Sequence, residues 1–274
     1  RGHRAEPLRR RSSELTFHVE RPDVNTPEEQ PTIGEAAPPP PTPDAAREFL
    51  GARVDVMERY VAHLCDTGVT HGLVGPREVP RMWERHVLNC AVVHPGIADE
   101  SAVADIGAGA GLPGLVLAIA RPDLRLTLVE PLLRRTVWLE RVIDDLELDN
   151  VEVVRARADE LWGKRSFDVV TSRAVARIGE LARWSLPLVQ RGGEMFVLKG
   201  SSAALERDED ASILRKLKVV EADVETWGAG IVDPETVTLR LSVEGLAPQL
   251  TRKQAGTGPS TAKKKAARIQ GRRD

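Results

Sequence analysis

The 274-residue chain is poor in several residue types that would have opened particular functions. It has one tyrosine, four phenylalanines and two cysteines, and aromatic residues make up 4% of it. Cys65 and Cys90 cannot build a disulfide framework or a zinc cluster. They read as buried or indifferent thiols in a reducing compartment, so a cytoplasmic location is expected. The six histidines show no ligand spacing with acids or cysteines, so no metal is expected. No apolar run approaches the ~20 residues of a membrane helix, so no membrane partner is expected. The Arg-rich start is not followed by an apolar run, which argues against a signal peptide. Neither sign of charge dominates: 39 basic and 41 acidic residues give a net charge of −2. That balance excludes a uniformly basic nucleic-acid coat. With so few aromatics, Trp83 and Trp138 read as core residues rather than as stacking platforms.

What is present falls into four stretches. Residues 1–43 carry RGHRAEPLRRR and the proline tract GEAAPPPPTP, and are expected to be disordered. Residues 44–95 form an expected helical segment. Leu50, Val54, Met57, Val61 and Leu64 recur at three and four, which is one face of a helix from Asp44 to about Gly68. A second helix fits PREVPRMWERHVLNCAVVH, with Met82, Trp83, Val87, Cys90 and Val93 inward. Residues 96–245 alternate strand and helix patterns. Strands are expected at 102–106, 124–130, 151–156, 166–172 and 193–200, and then in LKVVEADVETWG and ETVTLRLSV. Helices are expected over 111–120, 133–146, 178–188 and 202–215. Such alternation means an α/β, doubly wound, Rossmann-like sheet, with binding residues at the carboxyl ends of its strands. Residues 246–274 form an expected disordered basic tail, with Lys263, Lys264 and Lys265 at its centre. It is either a solubilising terminus or an electrostatic arm for a polyanion.

The chemistry concentrates in VADIGAGAGLPGL, residues 103–115. A GxGxxG match can be drawn at Gly109, Gly111 and Gly114, with Glu130 about 20 residues on, as in a dinucleotide site. The better frame is Asp105-x-Gly107-x-Gly109-x-Gly111. A carboxylate at the strand end would repel a pyrophosphate and welcome an amine or a sulfonium-bearing amino acid. Glu130, ending the second strand, is placed to accept from both hydroxyls of a ribose. This pattern resembles that of S-adenosylmethionine-dependent methyltransferases.

The flanking segments narrow the resemblance. LVGPREVPRMWERHVLNCAVV, the glycine loop with Leu112-Pro113-Gly114, LVEPLLRRTVWL, VVRARADEL, VVTSRAVA and VLKG follow in order. Together they resemble the bacterial glucose-inhibited division protein B family. Its members methylate N7 of a guanosine in small-subunit ribosomal RNA. The resemblance spans about residues 44–245. It implies a class I methyltransferase sheet with N-terminal helices, S-adenosyl-L-methionine as cofactor, and 16S rRNA or a 30S assembly intermediate as partner, bound by a monomer.

The same resemblance implies roles for particular residues. Gly107, Gly109 and Gly111 approach the methionine part of the cofactor, with Asp105 close by, and Glu130 binds the ribose. Ala158 passes the adenine, and either Asp159 or Glu160 takes its exocyclic amine. His86, Arg157, Arg173 and Lys199 bind substrate or cofactor, the last three converging from strand ends. Each has an ordinary alternative: Arg157 paired with Asp159, Arg173 as a loop clamp, Lys199 as a solvated strand cap, His86 as a hydrogen-bonded helix residue. Guanine N7 carries a lone pair and no proton, so alignment matters more than a general base. Two rival readings remain at this stage. An NAD-dependent oxidoreductase lacks an identifiable proton donor, and a non-catalytic RNA-binding protein would use the glycine loop only as a turn.

Overall fold

The computed structural model describes residues 38–243. The tails expected to be disordered lie outside the described residues, apart from Pro38–Pro43. Those six were expected to be unordered, yet Pro40 O accepts from Trp83 Nε1 and Thr42 Oγ1 donates to Glu58.

Seven strands form one sheet in the order β3-β2-β1-β4-β5-β7-β6. They are β1 (Ala102–Ile106), β2 (Arg125–Val129), β3 (Val151–Val154), β4 (Phe167–Thr171), β5 (Val189–Lys199), β6 (Val219–Trp227) and β7 (Thr236–Val243). The first five run parallel, and β7 lies antiparallel between β5 and β6. This is the doubly wound sheet that the strand and helix pattern requires, closed at one edge by a reversed hairpin.

The helices differ from expectation mainly where they break. The single helix expected from Asp44 to Gly68 is α1 (Asp44–Leu50), a 3-10 turn and α2 (Val54–Cys65), followed by the short α3 (Thr67–Thr70). Gly51, at φ 52°, supplies the left-handed residue on which α1 ends. The second expected helix is a 3-10 turn over Pro76–Arg81, a π-helical stretch over Met82–Leu88 and α4 (Asn89–Ala91). All five of its expected inward residues are buried, from Met82 to Val93. Then come α5 (Gly114–Ala120), α6 (Leu133–Leu146), α7 (Ile178–Ser185), α8 (Ala203–Glu209) and α9 (Ala211–Lys216).

Side chains alternate across the strands, so each strand feeds two cores. On one face Val103, Leu126 and Leu128 pack with α5, α6 and the N-terminal helices. On the other, Ala104, Ile106 and Val170 pack with α7 and α9. Trp83 and Trp138 are buried in the first core, as expected. The N-terminal helices share this core rather than forming one of their own. Among the described residues no helix is long and apolar enough to cross a membrane.

One contact ties these helices to the glycine loop. Tyr60, the single tyrosine of the chain, is fully buried in α2 and donates to Ala110 O at 2.7 Å. Tyr60→Phe leaves that carbonyl buried without its donor, at a cost of about 1–3 kcal/mol. Urea denaturation is expected to show a fall of this size, and unchanged stability would remove the tie from the account.

Candidate active site

Strand order reverses between β1 and β4, and ligands of open α/β sheets bind in the crevice outside the strand carboxyl ends at such a point. Two cavities open there. The first, about 340 Å³, is lined by the loop Gly107–Ala110, by Val74, Glu78 and His86 from the N-terminal segment, and by Arg135 and Arg173. The second, about 530 Å³, is lined by Arg85, Asn89, the stretch Arg173–Arg177, Lys199 and Glu206. Arg173 and Ala174 belong to both, so they form the partition between them. Ala174 holds φ 55°, a conformation that non-glycine residues adopt rarely and mostly where a site demands it.

The loop is pinned by side chains from below. Gly109 N donates to Glu130 Oε2 at 3.1 Å, and Leu132 N donates to Glu130 Oε1 at 3.0 Å. Glu130 is buried, with Arg135 3.4 Å away. Each oxygen of Glu130, the residue expected to accept from the two hydroxyls of a ribose, already accepts one backbone amide. A carboxylate has about four acceptor sites, so lone pairs remain for hydroxyls. Gly109 has φ 59°, and a Cβ there would stand in almost open space beside the first cavity. Gly111 does not line that cavity. A Cβ on it would meet the Leu115 side chain at 2.5 Å, so its smallness serves packing.

Asp105 also differs from expectation. It shares the β1 face of Val103, so it points under the loop towards α5 and the N-terminal helices, not into the cavity. It is fully buried, and its Oδ2 accepts from Gly114 N at 2.9 Å. Gly114 opens α5, whose first amide is the group that a dinucleotide fold offers to a pyrophosphate. That amide is already taken by a carboxyl, which counts against the dinucleotide reading. Asp105 Oδ1 is buried without a hydrogen-bond partner among the described residues. Burial pushes this carboxyl up to about 7, against the Gly114 amide and Arg173, which pull it down.

The four basic positions do not converge equally. Arg173 donates through Nη1 to the carbonyls of Arg85 and His86 and to Cys90 Sγ, at 3.3–3.4 Å. Its Nη2 lies 2.6 Å from His86 Nδ1. Arg173 therefore clamps β4 to the π-helical stretch while lining both cavities. Lys199 Nζ donates to Ala176 O and to Glu206 Oε2, both at 2.8 Å, so it is a paired group rather than a solvated cap. Arg157 lines neither cavity. Its side chain is 62% exposed, and Nε lies 3.3 Å from Asp159 Oδ1. The reason is strand order: β3 lies two strands from β1, about 10 Å away at ordinary spacing. Beyond it, Ala158–Glu160 forms a 3-10 turn in which Glu160 Oε2 accepts from Arg157 N. Glu78 and Tyr60, both in contact with site residues, were not singled out in the sequence. Among the described residues no group of three His, Cys, Asp or Glu side chains is placed to hold a metal.

The buried Asp105 carboxyl makes stability depend on pH. Its folded value, about 7, lies above its ordinary 3.8, so the folded state holds more protons between the two. Its contribution therefore falls as pH rises through that window and levels off above it. Asp105→Asn keeps an acceptor for Gly114 N without an ionisable group. The melting temperature of the variant minus that of the native chain is expected to grow between about pH 5 and about pH 8. A pH-independent difference would contradict the assignment.

Comparison with known proteins places this geometry in a family. The family model described as rRNA small subunit methyltransferase G matches residues 53–233. A relative from Paenarthrobacter aurescens, named ribosomal RNA small subunit methyltransferase G, is 50% identical over 200 residues, covering 73% of this chain and 93% of its own length. One of the same name from Thermobifida fusca is 52% identical over 200 residues, covering 73% of this chain and 84% of its own. Among solved structures, an O-methyltransferase family protein from Burkholderia thailandensis aligns at a TM-score of 0.47 and 13% identity, over 72% of this chain and 67% of that one. The family match spans the residues that line both cavities, and the chain belongs to the rRNA small subunit methyltransferase G family.

Proposed function

We propose that this chain, acting in the cytoplasm, transfers a methyl group from S-adenosylmethionine to N7 of a guanosine in 16S rRNA. The observation that carries this reading is the pair of cavities that meet at Arg173 and Ala174, in a chain of this family. A methyl transfer needs two ligands side by side, and the partition puts two compartments in contact.

The first cavity suits the cofactor. The loop backbone lies open to this cavity at Gly109, where a side chain would take up the space. Glu130 retains acceptor capacity for ribose hydroxyls, and the Ala158–Glu160 turn lies at the next strand end for the adenine. When bound, S-adenosylmethionine supplies an electrophilic methyl group on a sulfonium. Asp105 and Gly111 act from beneath, holding the loop and the α5 entrance in shape.

The second cavity suits the base and its flanking phosphates. Arg85 is exposed at its mouth, and Arg173 and Lys199 are fixed on its wall. Such cations grip RNA phosphates or the O6 edge of a guanine. The target base leaves its stack to enter, as in other enzymes that modify bases. N7 attacks with its own lone pair, so no side chain must first remove a proton. With the sulfonium bound, its positive charge would pass to the purine, so these residues would have no new charge to neutralise. The contribution of the residues is alignment. His86 and Lys199 fit this role, since both are already engaged by neighbours.

Two outcomes are expected. Nucleoside mass spectrometry of 16S rRNA from a strain lacking the gene shows one 7-methylguanosine fewer, restored by the native chain. An unchanged nucleoside profile would defeat the rRNA assignment. Gly109→Val forces a β-branched residue into the left-handed region, at about 1–2 kcal/mol of strain. It also fills the cradle, so adenosylmethionine affinity by calorimetry falls further than that stability loss explains. Native affinity in Gly109→Val would move the cofactor elsewhere.

A further inference from the structure

Glu78 lies in the 3-10 turn Pro76–Arg81, and its Oε2 is 2.8 Å from His86 Nε2. On the other side of the ring, Arg173 Nη2 is 2.6 Å from Nδ1. Arginine offers only N–H donors, so Nδ1 must accept. The ring proton then sits on Nε2 and is donated to Glu78. The imidazole is neutral and held in one tautomer between a carboxylate and a guanidinium. Its side chain is 13% exposed, so water competes little for either bond. Burial first, and then the charge of Arg173, hold His86 below its ordinary value, while the Glu78 hydrogen bond opposes them. Three charged groups face the ring: Glu78 from the turn, Arg85 from its own helix and Arg173 from the end of β4. Beyond Arg173 lie Cys90, Tyr60 and Asp105.

We propose that Glu78 is a positioning residue that, by fixing the His86 tautomer, holds the Arg173 guanidinium at the partition between the two cavities, and that this relay opens when His86 takes up a proton. The proposal rests on the reading that base and cofactor meet at that partition. A proton on Nδ1 would set one N–H donor against another at 2.6 Å and place two cations together. Arg173 must then leave its place, and alignment goes with it. The rate of methyl transfer therefore falls on the acid side with the titration of His86.

The geometry separates two substitutions. In Glu78→Gln the side-chain carbonyl still accepts the Nε2 proton, so the tautomer survives. The negative charge that favours imidazolium is gone, so His86 resists protonation to a lower pH. In Glu78→Ala the Nε2 proton has no protein acceptor and the tautomer is released. A misplacement of about 1 Å in an aligning group can cost on the order of 100-fold in rate.

The test uses the full-length chain, tritiated adenosylmethionine and small-subunit rRNA across a pH series, with kcat and KM measured for both substrates. Glu78→Ala is expected to lower kcat by up to about 100-fold with a smaller change in either KM. Glu78→Gln restores most of that rate at alkaline pH and moves the acid limb to lower pH. Nitrogen-15 shifts of His86, identified by their loss in His86→Asn, show Nδ1 unprotonated and Nε2 protonated in the native chain and in Glu78→Gln. Three results overturn the proposal: an unshifted acid limb in Glu78→Gln, native kinetics in Glu78→Ala, or the opposite tautomer in the native chain. The tautomer is read without turnover. A native chain that methylates no rRNA therefore defeats the functional reading alone, and the nitrogen shifts still judge the relay.

Discussion

The carboxylate of Glu130 accepts the amides of Gly109 and Leu132 at once, one on each oxygen. The first belongs to the loop after β1, and the second is the residue from which α6 starts. One buried side chain at the end of β2 thus sets both the floor of the first cavity and the entry of the helix beside it. Such a group must be bonded to be tolerated, since an unpaired buried charge is costly. Arg135, in the first turn of α6, supplies a counter-charge at 3.4 Å. Asp105 beneath Gly114 and Tyr60 against Ala110 fasten the same loop at two further points. The backbone of this loop is held by three side chains from three elements, which leaves the Gly109 position clear beside the first cavity.

The second consequence concerns Arg173. It issues from β4, adjacent to β1 on the opposite side from β2, where the sheet reverses its winding. It is fixed to two carbonyls, a thiol and an imidazole rather than to a carboxylate. Among the described residues no direct ion pair cancels its charge, which is placed at the wall that both cavities share. A reaction that moves one positive charge between two bound groups asks for steady positioning more than for acid–base exchange, and the bonds around this arginine provide it.

Much of the fold was legible because short apolar runs bounded by turns read directly as buried strands. The strand at 102–106 and the helix at 133–146 are found where they were expected. The helix breaks were less visible. Gly51 looks like a tolerated interior glycine until its φ of 52° is known, and Asp210 divides the expected helix 202–215 while accepting from Gly179 N. At the site, residue type and strand position brought Arg173, Lys199 and the glycine loop into consideration. They could not say which way Asp105 points, since strand alternation assigns its face only once the helices over each face are known. Arg157 shows the limit of the strand-end rule, which sets a level along the sheet but not a distance across it. Glu78 and His86 are eight residues apart across a 3-10 turn and a π-helical stretch, a spacing that no single helical period would pair. Tyr60 meets a carbonyl 50 residues away, which only the packed core reveals.

The central claim is that the cofactor lies over the pinned loop with its sulfur facing the Arg173 partition. A crystal structure with S-adenosylhomocysteine tests it most directly. The account predicts the homocysteine portion against Gly107–Ala110, ribose hydroxyls on Glu130, and the sulfur turned towards the second cavity. A ligand seated in the second cavity, or one whose sulfur is screened from Arg173 and Ala174, would contradict it.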